Sequence, residues 1–124
     1  LGLFPTDQPW RFGMVDVGPD NQVLYCIDKP TSTSLRYMWG IACWEPTFTE
    51  YLGNFVASRA NTAGELLLGD AFNGAVEEGL SVKCHIFAKG EYWDIGAPEE
   101  LLRACRAILL ENYSAVEPPP SSTT

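Results

Sequence analysis

The chain has 124 residues, 46% of them hydrophobic and 12% aromatic, with sixteen acidic against eight basic side chains and a formal net charge of −8. That length suits one domain burying roughly 65% of its unfolded surface, and the composition excludes a disordered chain. The charge argues against nucleic acid as a partner, because phosphate neutralisation needs clustered Lys and Arg, and the bases here are scattered from Arg11 to Arg106.

The chain opens on Leu1-Gly2-Leu3-Phe4-Pro5-Thr6, which reads like the interior of a domain and a piece of something longer. Phe12 to Val17 alternates as a strand, and Gly18-Pro19-Asp20-Asn21 is dense turn chemistry. Gln22 to Ile27 is the next strand, so the two form a hairpin-like pair that Asp28-Lys29-Pro30 ends. Arg36 to Trp44 reads as a buried strand in which Gly40 allows close backbone approach. Pro46 suits the first position of a helix reaching about Phe55, and 57–64 reads as a loop. Asp70 can cap a helix from Ala71 to Glu78 that Gly79 ends.

Ser81 to Ala88 alternates as a strand, with Lys83 and His85 on one side and Val82, Cys84 and Ile86 on the other. Lys89-Gly90-Glu91 is a turn. Pro98 opens the last helix with Glu99 and Glu100 in its first turn, where the helix dipole favours them. Leu101, Leu102, Cys105, Ile108 and Leu109 follow helical spacing and predict a buried stripe. The tail from Val116, with three prolines followed by Ser and Thr, is disordered by composition. The domain is therefore expected to span 1–115, with 116–124 as the tail.

No apolar run approaches the ~20 residues that cross a membrane, so no membrane partner is expected. No charged-then-apolar leader is present. Cys26, Cys43, Cys84 and Cys105 are widely spaced, with no close ligand pair and one histidine in the chain, so structural zinc is disfavoured. They read as reduced, mostly buried thiols of a cytoplasmic protein.

Three places can carry chemistry. Asp28-Lys29-Pro30 sets a cation beside an acid at a strand end, where the lysine can hold a phosphate and the acid a sugar hydroxyl; the alternative is a solvated charged turn. Trp93-Asp94-Ile95-Gly96 places a carboxylate beside an aromatic before a helix start, where it can ligate magnesium or simply cap a loop. Gly13 can present a bare backbone N–H to a ligand, or merely start a flexible strand. His85, alone in its strand, suits a structural or surface role, and Tyr37, Trp39, Trp44, Phe48, Tyr51 and Phe55 suit a core. No Ser/His/Asp arrangement, P-loop or Gly-x-Gly-x-x-Gly is present.

In order and spacing these pieces resemble the sugar nucleotidyltransferases of the glucose-1-phosphate thymidylyltransferase type, over roughly residues 1 to 110. Those enzymes join a nucleoside triphosphate to a sugar 1-phosphate and release pyrophosphate. Phe12-Gly13-Met14-Val15 is similar to the family's aromatic-Gly-x-Val strand, whose glycine backbone contacts the sugar. Asp28-Lys29-Pro30 is similar to Glu-Lys-Pro, where the acid holds sugar hydroxyls and the lysine the sugar phosphate. Gly40 matches the glycine of a strand lining the sugar pocket, and the segment 65–70 resembles a short acidic stretch before a family helix. Trp93-Asp94-Ile95-Gly96 resembles an ending whose aspartate is one of two magnesium ligands.

The resemblance implies an α/β, Rossmann-like partial fold: a mixed sheet with about three helices, cut from a largely parallel family sheet. It implies a sugar 1-phosphate site of Gly13, Asp28, Lys29, Gly40 and Trp93, with Asp94 as a magnesium ligand. Two departures stand out. Position 28 is Asp and not Glu, and the family's glycine-rich triphosphate loop and second metal acid have no counterpart in this sequence. The expectation is the sugar half of a site, with no catalysis by this chain alone. An uncovered sheet edge and apolar face predict a homodimer or higher oligomer. The other expectation is a non-catalytic binding or interaction module.

Overall fold

The computed structural model describes residues 1–61 and 63–114. The tail at 116–124 lies outside them. The described chain forms two compact units, Leu1–Gly90 and 91–114.

The first unit holds strands β1 (Gly2–Pro5), β2 (Gly13–Val17), β3 (Val23–Asp28), β4 (Tyr37–Ile41) and β5 (His85–Ile86), with helices α1 (Pro46–Ser58) and α2 (Leu68–Glu77). The strands make one sheet in the order β3-β2-β4-β1-β5. Pairings β2–β3, β2–β4 and β1–β4 are antiparallel, and only β1–β5 is parallel. The α/β class and the mixed sheet are as expected, but this portion of the fold is mainly antiparallel. The short turn between β2 and β3 suits antiparallel neighbours, the segment between β3 and β4 carries the chain past β2 to its other side, and the chain between β1 and β5 includes both helices.

Strand alternation divides the core between two sheet faces. Leu3, Val15, Val23 and Cys26 cluster with Phe48 and Phe55 of α1 and Ala71, Phe72 and Ala75 of α2. Their neighbours Phe4 and Met14 join Met38 in a smaller cluster, with Phe12 and Leu35 packed against it. Each fully buried large side chain contributes about 1.5–3 kcal/mol.

The β2–β3 hairpin turns where predicted. Asp20 and Asn21 both take φ of 56°, a left-handed conformation that short polar side chains tolerate. Their carbonyls are held from afar: Lys83 Nζ donates to Asp20 O at 3.2 Å, and the Cys84 N–H donates to Asn21 O at 2.9 Å.

Both helix ends of the first unit show local rules at work. Pro46 opens α1 as expected, and the helix runs one turn beyond Phe55, where Ser58 Oγ donates to the Phe55 carbonyl. Helix α2 starts at Leu68, before the expected cap. Asp70 therefore sits in the first turn and answers the helix dipole without capping it. Gly79 ends α2 at φ 83°; its N–H reaches Val76 O and that of Leu80 reaches Ala75 O, a Schellman closure.

The strand expected from Ser81 to Ala88 is mostly irregular. Residues around Val82 and Lys83 bond to the start of β3, and those from His85 to Phe87 bond to Leu1 and Leu3. Two successive partners leave only two residues in regular pairing. The predicted alternation survives: Cys84 is buried while Lys83 and His85 are exposed. Strand β1 itself, with Leu3 fully buried, was not expected from the sequence.

The second unit contains α3 (Pro98–Ser114), with Glu99 and Glu100 in its first turn. Its predicted stripe is uncovered: Leu101, Leu102, Ile108 and Leu109 are 46–63% exposed, Cys105 is exposed, and the buried side chain is Ala104. Helical spacing dictates which residues share a side; it does not supply a surface to cover them. The cysteines divide evenly, with Cys26 and Cys84 buried and Cys43 and Cys105 exposed, all as free thiols.

Candidate functional site

A cavity of about 180 Å³ lies where β2, β3 and β4 meet the segment 65–70 leading into α2. Gly13 pairs with Asp28 across the β2–β3 ladder, so the hairpin register brings two of the expected residues to one place. Both line the cavity, together with Trp39, Glu65, Gly69 and Asp70.

Gly13 is explained by its neighbour. A Cβ built there would stand 2.4 Å from Trp39 Nε1 and 3.0 Å from its Cδ1. The bare Cα lets the indole lie against the strand. The ring is braced behind by Phe72, edge-on at 5.4 Å between centroids. Trp39, read from the sequence as a core aromatic, packs on the core and also walls the cavity. The signal that identifies it is a glycine on one strand facing a tryptophan on the next, which requires the register between them.

Asn73 of α2 fixes the helix to β3. Its Oδ1 accepts the Cys26 N–H at 2.6 Å, and its Nδ2 donates to the Cys26 carbonyl at 2.8 Å. One amide thus satisfies both polar groups of an edge-strand residue. It sits one turn beyond Gly69 and Asp70, so the same clamp holds that wall of the cavity beside Asp28. Burial pushes the Cys26 thiol up to about 12, with the chain-terminal amine opposing more weakly, so it remains a neutral wall and not a nucleophile.

The other expected residues are placed differently. Lys29 is exposed, takes a left-handed φ of 43°, and donates its N–H to Phe12 O at 3.0 Å; it follows Asp28 without lining the cavity. Gly40 follows Trp39 in β4, so alternation turns it to the opposite face, and it does not line the cavity. Trp93 and Asp94 belong to the second unit. There Asp94 Oδ1 accepts the Gly96 N–H at 3.2 Å in a tight turn before α3. Among the described residues no three His, Cys, Asp or Glu side chains gather as a metal cluster. A single carboxylate such as Asp94 would hold magnesium only together with further donors or substrate phosphates.

The charged groups lining the cavity are Asp28, Glu65 and Asp70, all acids. Such a lining repels an anion and accepts hydroxyl donors. At ~30 Å³ per water the space holds roughly six waters, a monosaccharide-scale volume. A larger cavity of about 720 Å³ is lined by Ile41, Trp44, Phe48, Phe72 and Phe87 among others, with Glu45, Lys83, His85, two cysteines and the amino-terminal residue Leu1 also on its wall. Its charged groups are of mixed sign, whereas those of the smaller cavity are all acids.

A sequence profile of the nucleotidyl transferase family matches residues 1–111. A bifunctional protein GlmU of Methanococcus vannielii is 31% identical over 112 residues, covering 84% of this chain and 26% of that protein. The low-salt glycan biosynthesis nucleotidyltransferase Agl11 of Haloferax volcanii is 28% identical over 111 residues, covering 88% and 30%. The chain thus spans little more than a quarter of the length of these relatives. In structure it is similar to a nucleoside-diphosphate-sugar pyrophosphorylase of Vibrio cholerae, with TM-score 0.60, 20% identity, and coverage of 86% of this chain and 45% of the other. A Bacillus anthracis protein assigned as a glucose-1-phosphate thymidylyltransferase, solved with sucrose, gives TM-score 0.65 at 24% identity, covering 83% and 40%.

Proposed function

This chain belongs to the nucleotidyl transferase family, and from that premise we propose that it carries the sugar-binding half of a sugar 1-phosphate site and does not transfer nucleotides alone. The observation that supports this is the small cavity that gathers Gly13, Asp28 and the segment 65–70. Asp28 accepts sugar hydroxyls there. Lys29, next in the chain and outside the acidic lining, takes the phosphate. The similarity to Agl11, a nucleotidyltransferase of low-salt glycan biosynthesis, supports a sugar-nucleotide setting for it.

Gly40 contributes by placing Trp39 in β4. Within the second unit, Trp93 would offer an aromatic face to a sugar and Asp94 one carboxylate to magnesium. The triphosphate-binding loop and the second metal acid have no counterpart in these residues. These residues by themselves thus lack the main stabilisers of transition-state charge, and the transfer step needs groups beyond them.

Calorimetry with glucose 1-phosphate and magnesium tests the reading. Binding that weakens in Lys29→Ala and Asp28→Asn is expected. No heat at millimolar sugar phosphate would overturn it.

A second reading, a self-associating interaction module, is favoured by one observation: the uncovered leucines and isoleucine of α3. The occupant is then a second copy of this chain, and the cytoplasm is the compartment that suits its free thiols.

A further inference from the structure

We propose that Trp39 is the residue by which the small cavity selects a neutral sugar ring. The inference rests on the sugar-site reading and names a group that reading does not use.

Three observations carry it. Trp39 lines the cavity together with Asp28. Its Nε1 lies against Gly13, at 2.4 Å from where a Cβ would stand, so the glycine keeps the indole in place. Phe72 meets the ring edge-on and restricts its rotation. The indole is thus a fixed plate in a cavity whose charged groups are Asp28, Glu65 and Asp70.

The indole N–H makes no hydrogen bond among the described residues, while none of their buried side-chain nitrogens lacks a partner. Nε1 therefore reaches solvent, and Trp39 meets open space at the cavity. A solvent-reaching indole N–H donates to water, and an oxygen of a ligand entering the cavity can take that water's place.

The chemistry that fits is a pyranose. Its C–H face lies on an aromatic plate, a hydroxyl overhanging the indole edge accepts from Nε1, and its hydroxyl protons go to the carboxylates. A phosphate fits neither the plate nor the acids, so the phosphate end of a sugar phosphate points outward. Free glucose is then recognised through the same contacts as glucose 1-phosphate, and inorganic phosphate is not.

The test is a titration of the ¹⁵N-labelled 124-residue chain, following the indole resonances by NMR. The Trp39 resonance is identified by its loss in Trp39→Phe, a variant that keeps a ring and removes the donor. With glucose and glucose 1-phosphate that resonance is expected to shift at saturation, and to stay fixed with inorganic phosphate. Trp39→Phe is expected to weaken sugar binding by about 3- to 10-fold, the loss of one net hydrogen bond. Trp39→Ala is expected to weaken it further, with circular dichroism checking that both variants fold.

Sugar binding with an unmoved Trp39 resonance and an unchanged Trp39→Phe affinity would overturn the assignment and leave the sugar site standing. An equal shift with inorganic phosphate would overturn the ring preference. No binding of either sugar by the native chain would remove both the assignment and the reading beneath it.

Discussion

Gly13 was legible in the sequence as a position of interest, but its physical reason was not. The residue that needs it comes from another strand, 26 positions away by number. Gly13→Ala drives a methyl group into an indole that also packs against Phe72. Overpacking of this kind costs about 1–3 kcal/mol, so the melting temperature is expected to fall by several degrees in a chain of this size. Unchanged melting would show that Trp39 moves freely. The thiols make a second case. Burial raises Cys26 from its ordinary 9.0 to about 12, and it raises Cys84 in the same direction. A group whose folded value is raised gives stability that is whole below its unfolded value and is lost as pH rises through the folded one. Stability is therefore expected to decline from about pH 9 toward 12. Cys26→Ala should flatten that decline in denaturant titrations across the window, and in the native chain at pH 8 iodoacetamide should label Cys43 and Cys105 well before Cys26.

At the scale of elements, the α2–β3 join depends on a single amide. Asn73→Ala leaves the Cys26 N–H and C=O without their protein partner, and it removes the link between two walls of the cavity. The expected cost is about 1–3 kcal/mol, with the Cys26 amide exchanging faster than its neighbours in hydrogen-exchange experiments. Equal protection in the variant would show that packing alone holds the helix. This contact also marks where sequence reading stops. The β2–β3 hairpin, the Pro46 and Pro98 helix starts and the Gly79 stop were all legible, because each is written in neighbouring residues. The early start of α2 was not: Leu67 has no capping side chain, and the entry of the helix is set by where Leu68 and Gly69 meet β3 and the cavity. Nor were the brevity of β5 and the existence of β1, since each depends on distant pairing partners. Asp28 and the segment 65–70 could be singled out separately, but their meeting in one cavity follows from the hairpin register and the Asn73 clamp.

For the whole molecule, two forces act on association in opposite directions. Leu101, Leu102, Ile108, Leu109 and Leu110 each leave about half or more of their surface to water, and burying such side chains gains about 1.5–3 kcal/mol apiece at full burial. Against this, a net charge of −8 on each copy makes two copies repel over a Debye length of about 10 Å at 0.1 M salt. If α3 is the contact, added salt screens the repulsion and leaves the apolar gain intact. Light scattering at micromolar chain is then expected to show the mass rising with salt between about 0.05 and 0.5 M. Leu102→Glu adds a charge to the centre of the exposed surface and is expected to hold the chain monomeric throughout. Because Leu102 is 63% exposed, this change should leave the fold's own stability within about 0.5 kcal/mol of the native chain, so lost association would not be a sign of unfolding. A monomeric mass for the native chain at every salt concentration would remove self-association through α3, and the leucines would then need a partner of another sequence.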